Sequence, residues 1–286
     1  MKNSFGIIGA CGYIGLRHIN VIKKINGELI AYCDLNRSKE IEREFGSKWF
    51  SDLDDYLNYL EDQSVDYNVI CSPNNLHCQQ ILKSLKKNID VICEKPLVIN
   101  EIEFNEVSKA LKDSQAKLFN IMQLRLHPIF KEIVNFKEKS KNEASIVFTA
   151  SRKSDYLDSW KTDSSMSGGI LFNLGIHYFD LMLSVFGYPV DSEIKTSNER
   201  EVSGITKFKN LNLNWKFEIV IDDSGNLTPI REFIINGQIF NFSNVSEDLH
   251  LKNYKKIIEE KSFNFDENDL TYKYLFDINN QENGRS

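Results

Sequence analysis

A chain of 286 residues is long enough for one large or two medium domains, and 41% apolar with 27% charged residues is an ordinary composition for a packed protein. The formal charge of −6 leaves no basic footprint for nucleic acid or an acidic membrane surface, so neither is expected as a partner. No apolar run approaches the roughly 20 residues that span a bilayer, and the apolar start is too short for a signal peptide, which makes the cytoplasm the expected location.

Short apolar runs alternate with helical patterns over the first 120 or so residues. FGIIG (5–9) leads to a helix from Tyr13 to Lys24, and ELIAYCD (28–34) to one beginning near Arg37. DYNVICS (66–72) precedes the helical NLHCQQILKSLKK (75–87), DVICE (90–94) a helix over 101–112, and KLFNIM (117–122) closes the series. Strands and helices in alternation predict a parallel sheet covered on both faces. The character then changes. HPIFKEIVNFKEK (127–139) reads as a helix, NEASIVFTAS (142–151) as a strand, and LFNLGIHYFDLMLSVFG as an apolar helix. Residues 200–245 alternate apolar and polar positions, with turn signals at 223–226 and 236–237, as in hairpins. Residues 254–263 and those after Asp269 read as helical, and NNQENGRS as a frayed tail. Five cysteines, at positions 11, 33, 71, 78 and 93, form no CxxC pair, so neither a disulfide framework nor a metal site is expected.

GACGYIGLRH (9–18) follows a strand and opens a helix, the context a dinucleotide fingerprint requires. Gly9, Ala10, Gly12, Tyr13 and Ile14 form the candidate phosphate cradle: Gly12 lets the pyrophosphate approach, and the helix start offers unpaired N–H groups. A tight turn without a ligand is the plain alternative. Asp34 ends the second strand about 20 residues on, where a carboxylate binds ribose hydroxyls and repels a ribose phosphate. NAD is therefore expected over NADP, with Arg37 leaving that preference open. Ser72, Pro73, Asn74 and His77, in SPNNLH beyond the third strand, are further cofactor contacts or helix caps. Glu94 and Lys95 precede a proline that stiffens the turn after the fourth strand. A lysine aimed into a cleft there can stabilise an oxyanion or relay a proton; a surface lysine beside a turn is the alternative.

The apolar segment at 168–180 carries Asn173 and His177 four residues apart, on one face of a helix. His177, with a reference pKa of about 6.5, can take the proton that hydride removal from an alcohol releases; a satisfied core histidine competes with that reading.

On GACGYIGLRH, EKP (94–96) and SGGILFNLGIHYFD (167–180), the chain resembles the Gfo/Idh/MocA oxidoreductases across nearly its full length. The resemblance implies an α/β fold: an N-terminal Rossmann dinucleotide-binding domain over 1–122, then a C-terminal α+β substrate-binding and oligomerisation domain over 123–286 with a large, mainly antiparallel sheet. QLRLHP (123–128), SWKTD (159–163) and FNLGIH are similar to the branch of UDP-N-acetylglucosamine and UDP-N-acetylglucosaminuronate 3-dehydrogenases of surface-polysaccharide (lipopolysaccharide, O-antigen) biosynthesis. That branch usually has asparagine at the position of Asn173, where many other relatives have aspartate. The resemblance implies Lys95 and His177 as the catalytic pair, and Gln123, Arg125, His127, Trp160, Lys161, Asn173 and His250 around a UDP-sugar whose C3 hydroxyl is oxidised. It further implies NAD, in some relatives regenerated in place by a 2-oxoacid, and a homodimer or homotetramer formed through the second sheet. The alternatives are a dehydrogenase of another sugar, inositol or deoxysugar nucleotide, and a non-catalytic dinucleotide sensor or scaffold on the same fold.

Overall fold

The computed structural model describes residues 2–137, 142–243 and 247–283. Two compact units divide the chain: Met1–Ile121 with His250–Glu267, and Met122–Leu249 with Asn268–Ser286. The first crossover falls one residue from the boundary expected at 122/123. The return of His250–Glu267 to the first unit was not expected, because nothing in a helical pattern says which sheet it packs against.

The first unit runs β1 (Ser4–Ile8), α1 (Tyr13–Lys24), β2 (Glu28–Cys33), α2 (Lys39–Phe45), β3 (Lys48–Phe50), α3 (Leu53–Asp62), β4 (Tyr67–Ile70), α4 (His77–Lys86), β5 (Asp90–Cys93), α5 (Glu101–Lys112) and β6 (Leu118–Asn120). Its sheet is parallel in the order β3-β2-β1-β4-β5-β6, the doubly wound arrangement of a Rossmann domain. Phe5, Ile7, Val69, Ile70, Val91 and Ile92 are fully buried, as strands covered on both faces require. Two elements of this unit escaped the sequence reading. β3 is a three-residue edge strand, too short for a periodicity. α3 did carry a signal: Asp52 caps it, accepting the Asp54 and Asp55 N–H groups at 2.9 Å.

The second unit contains α6 (Ile129–Val134), β7 (Asn142–Arg152), α7 (Ser164–Ser167), α8 (Ile176–Phe186), β8 (Asp191–Ser197), β9 (Glu201–Phe208), β10 (Leu211–Ile221), β11 (Ile230–Ile235) and β12 (Gln238–Asn241). α9 (Glu247–Lys255) and α10 (Asp269–Asn283) follow. The sheet order is β12-β11-β7-β10-β9-β8, antiparallel except that β7 and β10 run parallel over eleven residues, from Leu211 against Asn142 to Ile221 against Arg152. α8 covers its apolar face, Phe179 packing on Trp215 at 5.3 Å and on Phe217 at 5.4 Å. By length and composition Ser164–Phe186 would also suit a membrane span, which inspection of the sequence did not register; 72% of its apolar window is buried, as in a core helix.

Helix α6 is shorter than expected: the pattern at 127–139 forms only Ile129–Val134, and 138–139 lie outside the described residues. The helix expected from Leu171 opens as a wide π-helical turn, Leu171–Gly175, before α8. The tail does not fray at 279–283, which continue α10; 284–286 are outside the described residues.

Candidate active site

The turn after β1 is built by close backbone approaches. Gly9 has φ +80°, and a Cβ there would lie 2.9 Å from the main chain of Cys71. A Cβ on Gly15 would meet the Gly9 carbonyl oxygen at 2.1 Å, so only glycine lets α1 pack this near the turn. Gly12 is different. A Cβ there meets nothing nearer than 3.5 Å, so no contact within the protein demands glycine. Gly12 caps α1 without a side-chain hydrogen bond and is exposed, which suits backbone N–H groups offered to a phosphate. Ala10 is buried, Ile14 half-buried and Tyr13 75% exposed, its hydroxyl accepting from Arg17 at 2.9 Å.

Asp34, half-buried at the end of β2, accepts the Cys11 N–H at Oδ2 and the Asn36 N–H at Oδ1, both at 2.9 Å. The carboxylate is thereby fixed beside the fingerprint turn. Arg37, the one residue that left the choice of dinucleotide open, is paired elsewhere. Its Nε and Nη2 donate to both Glu42 carboxylate oxygens at 2.7 and 2.9 Å, and it lies 5.5 Å from the Trp49 ring. These residues fit NAD: Gly12 and the start of α1 would hold its pyrophosphate, and Asp34 its adenosine ribose.

Beyond β4, Pro73 precedes a single 3-10 turn, Asn74–Leu76. Neither asparagine side chain caps α4; Asn74 is buried, and the buried Asn75 Oδ1 has no hydrogen-bond partner among the described residues. The Ser72 hydroxyl donates to Gln80 at 2.6 Å. His77 was expected at the cofactor or as a cap. It is instead fully buried, Nδ1 at 2.7 Å from the Pro96 carbonyl oxygen and Nε2 at 2.9 Å from that of Ser72. Burial lowers its pKa, although the two carbonyls act the other way.

Glu94 Oε1 lies 2.9 Å from His18 Nε2 and 3.4 Å from His250 Nε2, and Oε2 accepts the Lys95 N–H at 3.2 Å. Burial alone would raise this carboxyl; the hydrogen bonds from His18 and then His250 outweigh it and hold the group well below its ordinary value. His18 is shifted down, chiefly by burial, and so is neutral. A neutral ring donates once: Nε2–H goes to Glu94, and Nδ1 accepts from the Tyr254 hydroxyl at 2.7 Å. His250, expected at the substrate, is 1% exposed and belongs to this cluster in the first unit. The cysteines are free thiols; burial pushes Cys33 up to about 11 and Cys78 up to about 12.

In the second unit, Gly168 and Gly169 both have positive φ, +79° and +75°, and turn the chain from α7 into the wide turn that holds Asn173. Asn173 and His177 are half-buried, and burial pushes the Tyr156 hydroxyl up while the nearby Asn173 side chain acts the other way. Tyr156 was not singled out in the sequence, because its only link to Asn173 is tertiary. Trp160 and Lys161 lie in the loop between Tyr156 and α7, the Lys161 ammonium 5.8 Å from the Trp160 ring. Arg125 does not stand open to a phosphate. Its Nε and Nη2 grip both oxygens of Asp180, Nε at 2.7 Å, and Thr271 donates to the same carboxylate at 2.9 Å. His127 is buried, 5.1 Å from the Phe242 ring, with Nδ1 accepting the Ile129 N–H at 3.3 Å. Gln123 Oε1 is buried with no hydrogen-bond partner among the described residues.

An NAD-binding parallel sheet joined to a second unit with an antiparallel-rich sheet is the architecture of a two-domain oxidoreductase. The profile described as "Oxidoreductase family, NAD-binding Rossmann fold" matches residues 3–121, and that of the GFO/IDH/MocA C-terminal domain matches 142–226. The chain belongs to the Gfo/Idh/MocA oxidoreductase family, and its cofactor is NAD. It is similar to the WlbA (WbpB) dehydrogenase from Thermus thermophilus, solved with NAD and alpha-ketoglutarate and also with NAD and UDP-GlcNAcA. That match has a TM-score of 0.87 at 27% identity and covers 96% of this chain and 94% of the other. Among curated relatives, glucose-6-phosphate 3-dehydrogenase of Bacillus subtilis (strain 168) is 28% identical over 223 residues, 69% of this chain and 60% of that protein. Myo-inositol 2-dehydrogenase of Thermotoga maritima is 27% identical over 196 residues, 65% of this chain and 55% of that protein. The chain thus spans well under two thirds of the length of these two relatives.

Proposed function

We propose that the protein is an NAD-dependent dehydrogenase that oxidises the C3 hydroxyl of UDP-N-acetylglucosaminuronate, or of the matching UDP-N-acetyl-hexosamine, to a 3-keto sugar for surface-glycan synthesis. The observation that carries this reading is the near-full-length match, at 27% identity, to a dehydrogenase crystallised with NAD and UDP-GlcNAcA. NAD, held by Gly12, the start of α1 and Asp34, would supply the acceptor for the hydride of the carbinol carbon. Lys95 binds and polarises the hydroxyl oxygen, and His177 takes its proton. Asn173 cannot accept a proton as a carboxylate would, so it binds and orients the sugar. Gln123, Trp160 and Lys161 line the substrate in this reading, whereas Arg125, gripped by Asp180, shapes the wall behind it. A 2-oxoacid regenerates the cofactor, copies of the chain associate through the outer face of the second sheet, and the enzyme works in the cytoplasm.

The curated relatives favour a second reading, a dehydrogenase of another sugar, sugar phosphate or inositol. Both are tested by mixing the protein with NAD and, in turn, UDP-N-acetylglucosaminuronate, UDP-N-acetylglucosamine, glucose 6-phosphate and myo-inositol, with and without 2-oxoglutarate. Nicotinamide absorbance and 3-keto product are followed together. Product from a UDP-sugar alone is expected; product from glucose 6-phosphate or myo-inositol alone would replace the first reading with the second. Lys95→Ala and His177→Ala are each expected to lower turnover by about 100-fold or more with NAD binding kept.

A further inference from the structure

Three of the chain's five histidines are buried in the first unit, and all three bear on the residues that flank Lys95. His18 and His250 converge on Glu94 Oε1, and the other oxygen of that carboxylate takes the Lys95 N–H. On the far side, the Pro96 carbonyl faces His77, whose other ring nitrogen faces Ser72. We infer that Glu94, clamped by His18 and His250, is a positioning residue that sets the backbone of Lys95, with His77 holding the opposite flank. The inference rests on the reading of Lys95 as the group that binds the reacting hydroxyl.

Glu94 was expected among the cofactor contacts. Its surroundings assign it otherwise. An ionised carboxylate has about four acceptor positions, and this one meets two ring nitrogens and one backbone N–H of its own unit. Its side chain is 12% exposed, against 0% for His18 and 2% for His250. The clamp draws on distant parts of the chain: His18 follows the fingerprint turn on α1, and His250 lies on α9 where the chain returns to the first unit. Tyr254, one turn further along α9, fixes the His18 ring from its other nitrogen. One arrangement of hydrogen bonds therefore ties the helix that meets the cofactor's phosphates to the turn that carries the lysine.

Glu94→Gln tests this at nearly constant volume. A carboxamide has one accepting end, so it cannot accept from the histidines and from Lys95 at once. His250→Leu removes one arm, and His250→Gln offers an amide donor in place of Nε2. Each full-length variant is compared with the wild type by thermal melt, NAD dissociation constant, kcat on the best sugar nucleotide, and the rate at which Lys95 is acylated relative to exposed Lys109, read by mass spectrometry. With NAD affinity kept, Glu94→Gln is expected to cut kcat by about 100-fold and to change the Lys95:Lys109 labelling ratio about threefold or more. His250→Leu should move both the same way, and His250→Gln should restore them. Unchanged labelling in Glu94→Gln and His250→Leu overturns the inference. So does weakened NAD binding at unchanged kcat, which makes Glu94 a cofactor contact. Should Glu94→Gln fail to fold, the two His250 variants decide. Should the wild type turn over no sugar nucleotide, the proposed activity fails, and the labelling ratio still decides the positioning.

Discussion

In the first unit, His18, His77 and His250 are buried, whereas in the second His177 is half-buried in the first turn of α8, four residues beyond Asn173. The side chain is the same; the surroundings assign the work. His18, whose ring nitrogens both meet groups of its own unit, is an element of structure, and its burial favours the neutral form. His177 shares a helix start with Asn173, whose side chain acts on the Tyr156 hydroxyl. Carboxylates divide in the same way. Asp180 is locked to Arg125 and Thr271, and Asp34 is fixed by two backbone N–H groups beside the turn that receives the cofactor.

The largest expected effect sharpens this contrast. His177→Ala should remove turnover while shifting the melting midpoint little, and a large loss of stability there would make His177 one more core histidine. His18→Ala should act in reverse order: it leaves Glu94 and Tyr254 without their shared partner and opens a cavity, at a cost of about 3 kcal/mol in a denaturant titration. Asp180→Ala strips a nearly buried Arg125 of its counter-charge and should destabilise the second unit by about 3–5 kcal/mol. If Arg125 instead serves mainly to bind phosphate, the loss will fall on substrate affinity and stability will be nearly unchanged.

Acid separates the units more gently. His18 is held below its unfolded value of about 6.5, so below that pH the unfolded chain binds a proton that the folded one refuses. The corresponding stability is present in full above about pH 6.5 and is lost as the pH falls towards the folded value, with depressed Glu94 adding a loss of the same sign at lower pH. Melting curves between about pH 7.5 and pH 5 should show this decline, and His18→Gln should flatten it. The smallest effect is expected at Arg37→Ala. Because that guanidinium is exposed and paired with Glu42, the preference for NAD over NADP should change by less than about threefold. A larger change would mean that Arg37 leaves Glu42 to meet the cofactor.

Much of the first unit was legible because its signals are local. Apolar runs end at Gly9, Asp34 and Glu94, and a sheet of this kind brings strand ends to one edge whatever the loops do. β3 was not legible, since three residues carry no period, and α3 was passed over although Asp52 announced it. In the second unit the hairpins could be read, but the parallel pairing of β7 with β10 could not: alternation shows that a strand has two faces, not which neighbour it takes or in which direction. Arg125 and His250 looked like ligand contacts because both are polar residues in family-like segments. Their partners, Asp180 and Glu94, lie 55 and 156 residues away.

By itself the sequence determined the Rossmann unit and its NAD cofactor, and it singled out Asp34, Lys95, Asn173 and His177 as candidates, because each reading depends on residues near one another in the chain. Only the tertiary structure decided which polar side chains are already bound. Hydrogen bonds between distant segments took His18, His77 and His250 into the core of the first unit and Arg125 onto Asp180 in the second, and a buried polar group with a partner of its own is held from other work by the cost of leaving that partner unpaired.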